Sequence, residues 1–354
     1  MRVLVTGNLG YLGPAVVVQL QAAGHHVRGL DSGFFIADQL EPSFDVETAR
    51  KDLRDVGMKD LEGLDAVVHL ANLSNDPIGH LDPALTYDIN IDATVRLARL
   101  AKAAGVSRFI NSSSCSAYGS TVDDWVDEES TPRPVTPYAE SKIRAERDLA
   151  ALADDSFCVV SLRNATAFGY TRNLRTDLVV NDLTAGAMLL GQLHLNSDGS
   201  AWRPIVHAED IAQAFTLALD APSEAVNGEI INIGDERQNY RVLEIAKAVT
   251  NQLPGATLTY AEGAAPDRRS YRVRFDKVRR LLPAFECRYD LESGIAHMIV
   301  NMRRVGLRDP RFGVRLARIE QLRESGALDD TLRLTGATGG EGVRPTSAVH
   351  KGEA

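Results

Sequence analysis

Arg2-Val-Leu-Val-Thr6-Gly7-Asn-Leu-Gly10-Tyr11-Leu12-Gly13 is the stretch whose reading decides the fold. Residues 2–5 read as a short buried strand. The glycine-punctuated turn follows at once, and the apolar-rich segment 14–23 reads as a helix ended by Gly24. Gly7 permits a tight turn, Gly10 lets the backbone approach a pyrophosphate, and Gly13 lets the helix pack close to the sheet. Free N–H groups at the helix start then face the anion. The spacing is Gly-x-x-Gly-x-x-Gly, and it is the strand–turn–helix context that gives it weight.

A second strand, 26–30, ends at Asp31, 18 positions after Gly13. An acid there suits a ribose diol and repels a 2′-phosphate. The neighbouring Ser32-Gly33 offers no arginine for one, so NAD is expected rather than NADP. A plain strand-end turn is the simpler reading of Asp31. Asp52 and Leu53 follow a short strand-like stretch and suit an adenine contact. Residues 65–71 form a near-continuous apolar strand, as a parallel sheet requires. Asn72 and Ser74 then open a loop at its carboxyl end. A long helix is expected over 83–104 with Asn90 inside it, and 108–112 is the next strand, running into Ser112-Ser113-Ser114-Cys115-Ser116.

Thr136-Pro-Tyr138-Ala-Glu-Ser-Lys142 places a phenol and an ammonium four residues apart, one turn apart on a helix face. A fixed positive charge is expected to lower the phenol pKa from about 10, so that it can exchange a proton at a sugar or alcohol oxygen. Tyr-x-x-x-Lys is weak by itself. It gains force after a glycine turn and a strand-end serine run, which can donate a hydroxyl to a substrate oxygen.

Composition sets the bounds. The 354 residues are 44% hydrophobic and 25% charged, enough for two domains or one large α/β domain with an elaboration. A net charge of −9 disfavours nucleic acid and anionic membrane surfaces, though not an anionic small ligand. Cys115, Cys158 and Cys287 are scattered without metal spacing, which suits a reducing cytoplasm. The eight histidines form no His-Glu-x-x-His pattern, and no metal is expected. No apolar run reaches membrane-spanning length, and the first residues read as a strand rather than a leader.

Taken together, Thr6–Gly13, Asp31, His69–Ala71, Ser112–Gly119, Tyr138 with Lys142, and Arg203–Asp210 resemble the extended short-chain dehydrogenase/reductases of the NAD-dependent epimerase/dehydratase family over about residues 1–300. The resemblance implies an α/β fold: a Rossmann doubly wound parallel sheet with a smaller C-terminal substrate-binding α/β lobe. It implies an NAD-binding domain over 1–165, with later segments free to return to it, and a nucleotide-sugar lobe over 166–310. Residues 311–334 are then a helical extension without an assigned role, and the Gly-, Thr- and Ser-rich tail 335–354 is expected to be disordered.

The resemblance makes Ser114, Tyr138 and Lys142 catalytic, with Tyr138 as base. It draws cofactor contacts from Gly7, Gly10, Tyr11, Leu12, Gly13, Asp31, Ser32, Asp52, Leu53, Leu70, Ala71, Asn72, Asn90, Ser112, Tyr138 and Lys142. Substrate contacts fall to Ser74, Ser114, Cys115, Thr166, Asn181, Arg203 and Arg269. Thr166 stands where the family usually has asparagine. Arg203 is set on a phosphate, and Arg269 supplies a second guanidinium from a shifted position.

The expected activity is that of an isomerase, a nucleotide-sugar epimerase that oxidises its substrate to a keto sugar with bound NAD and returns the hydride after inversion. A 4,6-dehydratase would carry an Asp-Glu pair after the catalytic hydroxyl residue; here Cys115-Ser116 stands there. Cys115 is either a small packing residue or, in a 3,5-epimerase, a thiol acid/base. A ketoreductase would share Ser114, Tyr138 and Lys142. A non-catalytic NAD sensor would not need both Tyr138 and Lys142. A homodimer through the helices near 83–104 and 136–154 is also implied.

Overall fold

A computed structural model describes residues 1–42, 46–74, 76–120 and 125–336. The tail expected to be disordered lies outside the described residues beyond Gly336. Seven strands form one parallel sheet: β1 (Arg2–Thr6), β2 (His26–Asp31), β3 (Thr48–Arg50), β4 (Ala66–His69), β5 (Arg108–Ser114), β6 (Cys158–Asn164) and the later β10 (Ile230–Ile233). Their order is β10-β6-β5-β4-β1-β2-β3, and every pairing is parallel. The order reverses between β1 and β4, and the carboxyl ends of these two strands flank the crevice where such sheets bind ligands.

The central strands are apolar on both faces because helices cover both. Alternation along each strand splits the side chains between two layers. Val3, Val5, Val68, Ile110 and Val160 enter one layer with Val16 and Leu20 of the helix Gly13–Ala22 and Ile211 and Phe215 of the helix Ala208–Asp220. Leu4, Leu30, Val67, Phe109 and Val159 enter the other, with Leu97 of Thr94–Ala103 and Leu149 of Pro137–Ala150. Each fully buried side chain of this size contributes about 1.5–3 kcal/mol.

The helix read over 83–104 is divided. Pro83–Tyr87 and Thr94–Ala103 are α-helical, and Asp88–Ala93 between them is a π-helical turn. The smaller lobe holds β7 (Thr166–Phe168), β9 (Trp202–His207) and β11 (Asn239–Arg241) in one sheet, and β8 (Gln192–Leu195) with β12 (Thr257–Tyr260) in another. Its core joins the helices Val179–Leu190, Val242–Gln252 and Leu291–Arg304. The last of these is absent from the sequence reading, although Leu291, Ile295, Met298, Ile299 and Met302 repeat at helical spacing. The extension contains the helix Arg315–Glu324 and folds back onto the main sheet's loops. Among the described residues no helix is long and apolar enough to cross a membrane.

Candidate active site

The carboxyl ends of β1, β2, β4, β5 and β6 open into a cleft of about 890 Å³ that continues into the smaller lobe. Gly7 has φ +74°, and a Cβ there would lie 2.7 Å from the Ala71 nitrogen; one on Gly13 would lie 2.3 Å from the Asn8 carbonyl oxygen. The turn is therefore closed to side chains at these points. The following helix has no side-chain cap at Leu12, which leaves its first N–H groups without a side-chain acceptor. Gly10, Tyr11, Leu12, Ser32, Leu70, Ala71, Asn72 and Leu53 line the cleft with them.

Asp31 is nearly buried and serves two backbone donors, Gly33 N–H at 2.7 Å and Leu9 N–H at 3.1 Å. Burial pushes its pKa up, and these two bonds oppose the rise. The strand-end acid thus also fixes the glycine turn. Asp52 lines the cleft and is held by the Arg54 guanidinium at 2.7 Å. Asn72 Nδ2, Ser116 Oγ and Asn164 Oδ1 belong to cleft-lining residues and are buried without a partner among the described residues. A rim of uncommitted polar atoms beside an open helix terminus fits a dinucleotide such as NAD.

On the reaction side, Thr136 Oγ1 accepts the Ala139 N–H at 3.2 Å and caps the helix Pro137–Ala150, with Pro137 in its first turn. That start sets Tyr138 into the cleft and buries Lys142 one turn on. Lys142 Nζ donates to the Ser112 carbonyl at 2.6 Å and lies 5.6 Å from the Tyr138 ring centroid. Burial pulls the lysine down to about 7. Tyr138 is pushed up to about 12, by burial first and the Asp76 carboxylate second, against a lowering interaction with Ser114. This corrects the expected fall. The ammonium is itself desolvated, engaged by a carbonyl and set over the ring, so it does not offset the loss of water around the phenol.

Behind the site, Glu146 of the same helix takes the Arg163 guanidinium at 2.7 Å and the Ser113 hydroxyl, all deeply buried. Arg163 also reaches the Tyr118 hydroxyl at 3.1 Å. The network ties helix, β5 and β6 into one rigid support for Ser114 and Tyr138. Removing one partner of such a buried pair costs about 3–5 kcal/mol.

Ser74, Thr166, Arg203 and Arg269 line the far half of the cleft. Arg203 pairs with Asp267 at 2.7 Å, while Arg269 spans Asp267 at 2.9 Å and Asp76 at 2.5 Å. Three assigned residues lie elsewhere. Cys115 is buried, with its Sγ directed to the Arg163 carbonyl at 3.2 Å and burial raising its thiol pKa. Its side chain packs into the apolar core and, unlike Ser114, does not line the cleft. Asn90 spends its amide on the Leu73 backbone at 2.8 and 3.1 Å and on Ser141 Oγ at 3.1 Å, pinning the loop after β4. Asn181 is fully buried and joins the Gly169 N–H at 3.0 Å, the Arg175 carbonyl at 2.8 Å and the Tyr11 hydroxyl at 3.2 Å. It shapes the loop instead of lining the cleft.

Arg175, Asp177, Asp76 and Arg315 line the cleft and were not assigned from the sequence. Arg175 and Asp177 form a two-bonded pair at 2.8 and 3.0 Å. The basic loop 172–175 was a signal for the first of them. Nothing local marks Asp177, Asp76 or Arg315.

Residues 3–234 match the model of the NAD dependent epimerase/dehydratase family. UDP-glucose 4-epimerase of Lactobacillus helveticus is 28% identical over 297 residues, 75% of this chain and 87% of that protein. The enzyme of the same description from Mycolicibacterium smegmatis is 32% identical over 250 residues, 66% of this chain and 77% of its own. The solved structure of MoeE5 with UDP-glucuronic acid and NAD superposes with a TM-score of 0.75 at 28% identity, over 86% of this chain and 99% of that one.

Proposed function

The chain belongs to the NAD-dependent epimerase/dehydratase family, and from that premise we propose that it is a nucleotide-sugar epimerase working through a transient keto sugar. The observation that carries the reading is the convergence of Tyr138, Ser114 and Lys142 on the end of β5, in the same cleft as the glycine turn. NAD, when bound, supplies a reversible hydride acceptor. Gly7, Gly10, Gly13 and Asp31 would hold it.

As the phenolate, which the positive charge of a bound nicotinamide would favour against the burial that raises its pKa, Tyr138 takes the proton from the sugar hydroxyl as the carbon beneath it is oxidised, and returns it on reduction. Ser114 donates to that oxygen and keeps it in place while the sugar presents its other face. Lys142, buried under the ring with its Nζ on the Ser112 carbonyl, fixes the depth of the Tyr138 side chain. Arg203 and Arg269 anchor the nucleotide diphosphate at the far end. Asp267, which pairs with both, aligns them.

Elimination is less well served. The position after Ser114 holds Cys115, which turns away from the cleft, and Ser116. Neither is an acid suited to expelling water.

The test begins with full-length protein as purified. It is denatured to identify any released nicotinamide cofactor, and a parallel sample is incubated with UDP-, GDP-, CDP-, ADP- and dTDP-sugars while NMR follows the products. Bound NAD with an isomer of equal mass is expected. Turnover only on adding NAD(P)H would replace the proposal with a ketoreductase, and loss of water with a dehydratase.

A further inference from the structure

Residues 311–336 take no part in the reaction described above, yet they bring Arg315 to the lining of its cleft. The segment starts against the smaller lobe, where the Thr176 N–H and hydroxyl both reach the Phe312 carbonyl, at 3.1 and 2.9 Å. Gly313, at φ +69°, passes so close that a Cβ would lie 2.0 Å from the Leu174 carbonyl oxygen. The Arg315 N–H then meets Asp177 at 3.4 Å. Ile319, Leu328 and Leu332 join Phe34, Leu73, Ile78 and Ile89 in an apolar cluster over the loops after β2 and β4. The far end is latched by Arg54, which donates to the Thr331 and Leu332 carbonyls at 2.9 and 3.3 Å and also holds the cleft residue Asp52. Leu332 has φ +55°, a strained conformation for leucine that the buried side chain and this latch maintain.

Arg315 is the one cation the segment delivers to the cleft among the described residues. It is 2% exposed, stacks at 4.0 Å over the Phe35 ring and pairs with Asp38 at 3.4 Å, but its Nη2 has no partner among the described residues. Asp31 and Asp177 lie near and are engaged by the Leu9 and Gly33 N–H groups and by Arg175. Arg175 is close enough to Arg315 to oppose its charge, and close enough to Tyr11 of the glycine turn to act on the phenol. A buried guanidinium with an unspent donor, on the cleft that holds the glycine turn, suits an anion.

We propose that residues 311–336 are a strap over the dinucleotide, and that Arg315 donates from its free Nη2 to the cofactor's diphosphate, so that the cofactor is retained between turnovers. This rests on NAD as the cofactor and holds for an epimerase, a dehydratase or a reductase alike.

The test uses the full chain as wild type, Arg315→Lys, Arg315→Gln and Gly313→Ala. The rate at which bound NAD exchanges with labelled NAD is measured, and then the affinities of cofactor-stripped protein for ADP and for adenosine. A charge-assisted bond to phosphate predicts exchange about 10- to 100-fold faster in Arg315→Gln. Arg315→Lys is intermediate. ADP affinity falls by the same factor, and adenosine affinity changes less than about twofold. Gly313→Ala, which keeps the guanidinium and lifts the strap off Leu174, also speeds exchange. Wild-type exchange in Arg315→Gln and Gly313→Ala overturns the strap. Equal losses for ADP and adenosine overturn the diphosphate assignment, since the arginine then acts by packing alone.

Discussion

Replacing Lys142 with methionine removes a buried amine and keeps its hydrocarbon length. Burial lowers this lysine from 10.5 to about 7. Between those values the unfolded chain holds more protons than the folded one, so stability rises with pH across the window. At about 1.4 kcal/mol per pH unit, the full effect is roughly 5 kcal/mol, and the part falling between pH 7 and pH 9 is roughly 2 kcal/mol. Methionine carries no such dependence. Its loss of the 2.6 Å bond to the Ser112 carbonyl is a pH-independent offset of about 1 kcal/mol. The assay is urea unfolding of full-length, cofactor-stripped protein at pH 7, 8 and 9, because bound ligand would add its own linkage. Wild-type stability minus that of Lys142→Met should climb by roughly 2 kcal/mol over this range. A difference flat with pH would show that the ammonium is not desolvated, and would refute the account of why it fails to lower Tyr138. A lysine that titrates near neutrality can take up charge when Tyr138 ionises, which is the functional interest of the measurement.

Tyr138→Phe should retain NAD and lose about 10²–10⁴-fold in turnover; activity near wild type would remove Tyr138 as the base. Arg203→Ala should raise KM more than it lowers kcat, because a diphosphate anchor binds ground and transition states alike, and an unchanged KM would take Arg203 out of that role. Cys115→Ala should keep turnover within about threefold, with a modest loss of melting temperature from a small cavity in the core. A large fall in turnover at unchanged stability would restore the thiol to the chemistry.

The main architecture is legible in the chain because its signals are local. An apolar strand, a glycine turn that tolerates no Cβ at Gly7 or Gly13, and a proline-started helix each reflect backbone sterics within a dozen residues. The same holds for Tyr138 and Lys142, whose spacing alone puts them on one helix face. Family resemblance extended this to Ser114, Arg203 and Arg269, all of which line the cleft.

Direction across the fold was not legible. Asn90, Cys115 and Asn181 stand next to cleft residues in sequence, and their side chains leave by another face to serve buried donors and acceptors. The sign of the Tyr138 shift was also beyond local reading, since it depends on desolvation and on Asp76, 62 positions away in the chain. The sequence by itself determined the parallel α/β sheet, the glycine turn and the placing of Tyr138 and Lys142 on one helix face, for these follow from periodicity and short-range geometry. Only the tertiary structure decided that Arg315, from an extension without a motif, reaches the cofactor cleft. Charge and burial at a site are set by every segment packed around it, and such contacts leave no trace in the spacing of any one of them.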